Sequence, residues 1–84
     1  MLFVLTAIDW DNGLELRKRV RDAHLAFLKE TGAARLGGPF LGADGNRAGS
    51  MLVFEAEDLN TAKAWCAADP YAKFGLFKST DVRA

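Results

Sequence analysis

The sequence carries no excess of charge of either sign. Eleven lysine and arginine residues balance eleven aspartate and glutamate residues, so the formal net charge at pH 7 is zero. Proteins that bind nucleic acid or anionic membranes usually carry a basic surface, and this composition offers no surplus of basic residues from which to build one. We therefore expect neither nucleic acid nor a membrane as a partner.

Cysteine and histidine are equally scarce, with one of each, Cys66 and His24. A single thiol cannot form an internal disulfide, and a lone histidine without clustered carboxylates or thiols does not make a metal site. The apolar opening at residues 1–8 is too short to cross a bilayer. No glycine-rich turn leads from a strand into a helix, as a phosphate-binding loop requires. We expect a cytoplasmic protein without a metal or cofactor, in which Cys66 is a buried, inert thiol.

Two segments show helical spacing of apolar residues. The first helix is predicted from Leu14 to Thr31, ended by Gly32, and the second from Leu59 to Ala68, with Asp58 as its N-cap and Pro70 as its stop. The apolar stripe of the first helix consists of Leu16, Val20, Ala23 and Phe27. His24 lies on the flank of this stripe, where a helix side chain can reach a cleft.

Four apolar runs predict strands, at residues 2–7, 34–40, 50–56 and 76–82. The resulting order is β, α, β, β, α, β over a single domain, residues 1–84. This order predicts a ferredoxin-like α+β fold, with a four-stranded antiparallel sheet and both helices on one of its faces.

Both faces of the first and third strands are apolar. Leu2 and Val4 alternate with Phe3 and Leu5 in the first strand, and the third strand repeats the pattern. Two helices cover only one face, so a monomer would leave an apolar patch of roughly 400 Å² or more in water. We therefore expect a homodimer that packs sheet to sheet.

The candidate catalytic residues are His24 and Asp69. Asp69 is the acid that precedes Pro70. We expect the two helices to run side by side from the same edge of the sheet. Each residue then lies about 15 Å from the start of its helix, at matching depth. A histidine paired with a carboxylate is a common acid/base unit in enzymes. The structural alternatives are a polar residue at a helix boundary for His24 and a simple helix stop for Asp69.

These residues belong to a longer set of motifs: "RDAHL" at 21–25, "GGPF" at 37–40, "GSMLVFEAEDLNTAKAW" at 49–65 and "DPY" at 69–71. Together they resemble the YciI-like family of small dimeric α/β-barrel proteins with a ferredoxin-like fold. The resemblance implies that His24 and Asp69 form an active-site dyad. It also implies chemistry such as the elimination of chloride from a hydroxylated aromatic ring. The connection at residues 41–49 and the last strand are short for the family. The resemblance therefore does not extend to any substrate specificity that these two segments carry.

Three further residues are candidates for substrate binding. Arg21 lies one turn before His24 and can anchor an anionic or phenolate oxygen, or remain a solvated helix charge. Tyr71 lines the pocket with its hydroxyl or packs on the helix end. Ser50 places a hydroxyl in the cleft from the start of the third strand.

The sequence thus favours a cofactor-free YciI-like enzyme that performs general acid/base chemistry, an elimination or an isomerisation, on a small cyclic or aromatic substrate. The alternative is a non-catalytic dimeric module that binds a small ligand or accompanies a larger enzyme. A catalytic site leaves open space over the histidine ring, whereas a structural role fills that space with side chains.

Overall fold

The computed structural model describes residues 1–84 and contains four strands and three helices. The elements are β1 (Leu2–Asp9), α1 (Leu14–Thr31), β2 (Ala34–Leu41), β3 (Arg47–Glu55), α2 (Leu59–Ala68), α3 (Pro70–Lys73) and β4 (Phe77–Arg83). The strands form one antiparallel sheet in the order β2-β3-β1-β4. This confirms the predicted ferredoxin-like α+β fold. None of the helices is both long and apolar enough to cross a membrane.

The two long helices begin and end where local sequence signals predict. Gly32 adopts a left-handed conformation with φ of 64°, which few other residues adopt at low cost, and its N–H donates to the Leu28 carbonyl at the end of α1. The Asp58 carboxylate accepts a hydrogen bond from the Thr61 N–H at the start of α2. The predicted bounds of α1 and α2 are therefore confirmed.

The short helix α3 was not predicted from the sequence. Pro70 ends α2, but it also occupies the first position of α3, where the missing proline N–H costs no helical hydrogen bond. The proline therefore divides one helical region into two instead of returning the chain directly to the sheet.

Alternate residues of the two central strands face the helices and form the core. The main cluster of buried side chains contains Phe3, Leu5, Ala7, Leu52, Phe54 and Ala62. A smaller cluster joins Val20 of α1 to Tyr71 and Leu76.

The stripe predicted for α1 is wrong in part. Ala23 is exposed, whereas Arg17 and His24 are buried beside Val20. Both side chains are polar, and their burial is offset by hydrogen bonds to an aspartate, which is Asp9 for Arg17 and Asp69 for His24.

The face of the sheet opposite the helices has no covering element. We call it the open face; its apolar side chains include Leu2, Val4, Ile8, Leu36, Met51 and Val53. Leu2 and Ile8 are about half exposed, at 50% and 47%. Apolar residues therefore lie on both sides of the central strands, as the sequence predicts.

The direction of the helices differs from the prediction. Because β1 and β3 are antiparallel and each is followed by a helix that runs back along it, α1 and α2 run in opposite directions. The two helices therefore do not start at the same edge of the sheet. The expectation that His24 and Asp69 lie at equal distances from one edge was wrong, although the two residues are in contact. His24 lies about 15 Å from one end of the helical layer, and Asp69 lies about 15 Å from the opposite end. Both residues therefore lie near the middle of the layer.

Candidate functional site

His24 and Asp69 form a buried hydrogen-bonded pair. The Nδ1 atom of His24 lies 2.8 Å from Oδ1 and 2.9 Å from Oδ2 of Asp69. The side chains are 9% and 1% exposed. With the carboxylate ionised, Nδ1 carries the hydrogen and donates it, which fixes the tautomer of the ring. The predicted contact between these two residues is confirmed.

Asp69 is held in place by the junction between α2 and α3. It is the C-cap residue of α2 and the N-cap residue of α3. Its Oδ1 accepts a hydrogen bond of 3.0 Å from the Tyr71 N–H. One carboxylate therefore shapes the chain and orients the histidine. The helix-stop interpretation and the paired interpretation of Asp69 are both correct.

The His24 ring is fixed from a second direction by Tyr71. The two rings are stacked with their centroids 4.0 Å apart and a tilt of 14°. No side chain bonds the remaining ring nitrogen, Nε2, and no buried side-chain nitrogen or oxygen in the structure lacks a partner. Nε2 is therefore not enclosed by the protein.

Arg17 connects the end of β1 to β3 behind the histidine. Its Nε and Nη2 donate to Asp9 over 2.7 and 3.0 Å, and Nη2 also donates to Ser50 Oγ over 2.8 Å. Its guanidinium lies 4.7 Å from the centre of the Tyr71 ring. A planar group with several donors suits these contacts, and together they hold Tyr71 against His24.

A cavity of about 450 Å³ opens beside His24, between α1 and strands β2 and β3. This volume falls within the range of ~300 to 1,000 Å³ typical of small-molecule sites. Its lining residues are Arg17, Arg21, His24, Leu25, Leu28, Ala34, Arg35, Leu36, Gly37, Gly38, Pro39, Arg47, Ser50 and Leu52. The space next to the imidazole is therefore open rather than filled by side chains.

The structure places two of the three predicted binding residues, Arg21 and Ser50, on the wall of this cavity. Tyr71 is not among the lining residues; it is buried behind His24, as the packing alternative holds. Asp9, Arg17 and Arg47 were not predicted. The signal for Arg17 was available, since Arg17, Arg21 and His24 recur at steps of four and three along one side of α1.

Cys66 lies outside the candidate site, and it is half-buried rather than buried as predicted. It lines a second cavity of about 550 Å³ with Leu5, Phe77, Val82 and other residues of α2 and β4. Burial, with the nearby charge of Asp69, raises the pKa of the Cys66 thiol to about 11. A thiol with this pKa is a poor nucleophile near neutral pH, as predicted.

Comparison with known proteins identifies the family. A family model described as the YCII-related domain matches residues 1–84. The chain belongs to the YCII-related family. Protein YciI of Escherichia coli is 37% identical to it, over 99% of this chain and 94% of that protein. A Haemophilus influenzae protein is 35% identical over the same shares. Both alignments span 92 positions against the 84 residues present here, so these YCII-related proteins contain residues that this chain lacks.

A solved structure resembles this YCII-related chain along its whole length. It is 5-chloro-2-hydroxyhydroquinone dehydrochlorinase (TftG) from Burkholderia phenoliruptrix, in complex with 2,5-dihydroxybenzoquinone. Its sequence is 36% identical, the TM-score is 0.91, and the match covers 100% of this chain and 92% of that one. An antibiotic biosynthesis monooxygenase matches with a TM-score of 0.57 at 10% identity, which shows a shared fold alone.

Proposed function

We propose that this YCII-related protein is a cofactor-free enzyme in which His24 takes a proton from, or gives one to, a small cyclic or aromatic substrate. The observation that carries the proposal is the buried His24–Asp69 pair, whose histidine lines an open cavity and whose Nε2 has no partner in the chain. Such a pair is a general acid/base unit, and correct placement of the base typically contributes ~10² to 10⁴ in rate.

In the proposed mechanism, Asp69 accepts the Nδ1–H bond and leaves Nε2 as the basic nitrogen. When Nε2 takes a proton, the imidazolium that forms is stabilised by the adjacent carboxylate. Tyr71 keeps the ring from rotating by stacking on it. The proton then either returns to another ring position, which is an isomerisation, or leaves with an expelled group, which is an elimination.

The similarity to TftG supports elimination. A dehydrochlorinase removes a proton and chloride from its substrate, and the proton needs a base. This chain is 36% identical to that enzyme over its full length and brings a histidine–aspartate pair to the edge of a cavity. The open space beside His24 also favours a role that receives a ligand over one in which the histidine only fills the core.

We propose further that two copies pack through the open face to form a homodimer, and that the protein acts in the cytoplasm. The apolar side chains of the open face support the dimer, because a monomer would expose them to water. The balanced charge and the single cysteine support a reducing compartment.

Chloride release from 5-chloro-2-hydroxyhydroquinone tests the proposed chemistry. Wild type should release chloride, and His24→Gln should slow the release by about 10² or more. Asp69→Asn should also slow it, because the amide oxygen still accepts the Tyr71 N–H but the negative charge is gone. Asp58→Asn is the matched control, since it makes the same change at the other cap of α2, and its rate should equal that of wild type.

A full rate in His24→Gln would contradict the proposed role of the base. A wild-type protein that binds the compound and leaves it unchanged would contradict elimination. That result would favour the non-catalytic ligand-binding module.

A further inference from the structure

The wall of the cavity beside His24 is positively charged although the whole chain is neutral. Four arginines, Arg17, Arg21, Arg35 and Arg47, stand among its 14 lining residues, and no aspartate or glutamate does. With eleven acidic residues in the chain, this separation of charge creates a local positive potential that attracts an anion.

Two of the four arginines pair with acids that do not line the cavity. Arg17 makes its two bonds to Asp9, and Arg35 lies 3.8 Å from Glu55. Arg21 and Arg47 form no ion pair with any acid of the chain. The uncompensated charge of the cavity therefore resides on these two side chains.

Arg21 and Arg47 approach the cavity from different elements. Arg21 lies one turn before His24 on α1, and Arg47 is the first residue of β3. Both side chains line the same cavity. Two guanidinium groups that reach one cavity from separate elements suit an anion that lies between them.

The cavity is also lined by apolar side chains. They include Leu25, Leu28 and Leu52. The cavity thus offers both guanidinium groups and an apolar surface, which suits a ligand that has an acidic group on a compact hydrocarbon or ring body.

We infer that this cavity prefers a small aromatic or cyclic carboxylic acid, whose carboxylate lies between Arg21 and Arg47 and whose ring contacts the leucines beside His24. The test compound 5-chloro-2-hydroxyhydroquinone has no carboxylate, so it is expected to be a slower substrate that still depends on His24. This inference rests on the proposed function, and it makes Arg47 a specificity-determining residue. A substrate with a carboxylate is oriented by its charge before Nε2 of His24 acts on the ring.

The test compares benzoate with benzamide, which has nearly the same shape but no charge. Each compound is titrated into wild type, and binding is followed by the amide NMR signals of the cavity residues. Benzoate should bind about tenfold or more tightly than benzamide, because hydrogen bonds to charged groups are the stronger ones. Arg21→Gln and Arg47→Gln should each weaken benzoate binding by about tenfold and leave benzamide binding unchanged.

Arg19→Gln is the matched control, since it removes the same charge from an exposed site on α1 that does not line the cavity. It should preserve the preference for benzoate. His24→Gln should also preserve it, because the two arginines remain. The inference is overturned if benzoate and benzamide bind equally, if benzoate fails to shift the cavity signals, or if the arginine variants behave as Arg19→Gln does.

The outcomes separate this inference from the proposed function. Chloride release that depends on His24, without a preference for benzoate, overturns the carboxylate inference alone. A preference for benzoate that depends on Arg21 and Arg47, without any turnover, supports the inference and contradicts the proposed catalysis.

Discussion

Replacing Arg17 by methionine should destabilise the protein strongly. Arg17 supplies both hydrogen bonds to the Asp9 carboxylate, and the two side chains are 4% and 3% exposed. Methionine fills most of the space but leaves a buried carboxylate without a partner. Breaking a buried pair in this way costs about 3 to 5 kcal/mol. A small domain has a total stability of only about 5 to 15 kcal/mol.

The assay is urea unfolding followed by circular dichroism at fixed protein concentration, since any assembly would also affect the midpoint. Arg83→Met is the control: Arg83 Nε donates to Asp81 over the same 2.7 Å, but this single bond is exposed, and the loss should be about 1 kcal/mol or less. Adding Asp9→Leu to Arg17→Met should restore at least half of the lost stability, because it removes the unpaired charge. A loss below about 1 kcal/mol in Arg17→Met, or no recovery in the double variant, would refute this account.

The remaining predictions concern the thiol, the open face and a crowded glycine. Cys66 should react with iodoacetamide at pH 8 about 100-fold more slowly than an unperturbed thiol, because its pKa is raised from 9.0 to about 11; rapid labelling would contradict its burial. Since this folded-state pKa lies above the unfolded value, stability should fall as pH rises from 9 through about 11, and less so in Cys66→Ser. Sedimentation equilibrium should give twice 9.2 kDa for wild type and a smaller mass for Val53→Lys, and a wild-type mass of 9.2 kDa would exclude the dimer. Gly49→Ala should cost about 1 to 3 kcal/mol, because its methyl group would collide with the Ala7 carbonyl, whereas Gly38→Ala has free space; equal urea midpoints would refute this.

The helices α1 and α2 could be predicted to the residue because local chemistry determines their ends. Gly32 and Asp58 act within one turn of the helices that they bound. Strand ends were less accurate: β3 begins at Arg47, three residues before the predicted start, because pairing with β2 continues there. Such pairing depends on a partner strand, which local sequence does not reveal.

The site could be predicted only as far as its two most distinctive residues. His24 and Asp69 were found from the residue types, with the helix direction wrong and the resemblance to the family in support. The Asp9–Arg17–Ser50 contacts were missed because each residue alone is ordinary. These residues are unusual only because they are buried together. A charged residue on a helix does not show that its partner lies at the end of a neighbouring strand.

The double use of Asp69 also limits how this site is able to change over generations. Any substitution at this position must keep an acceptor for the Tyr71 N–H, or the α2–α3 junction loses its cap. Asparagine keeps the acceptor and removes the charge, whereas alanine loses both. Relatives that have lost the proposed chemistry but retain the fold should therefore carry asparagine at this position more often than alanine.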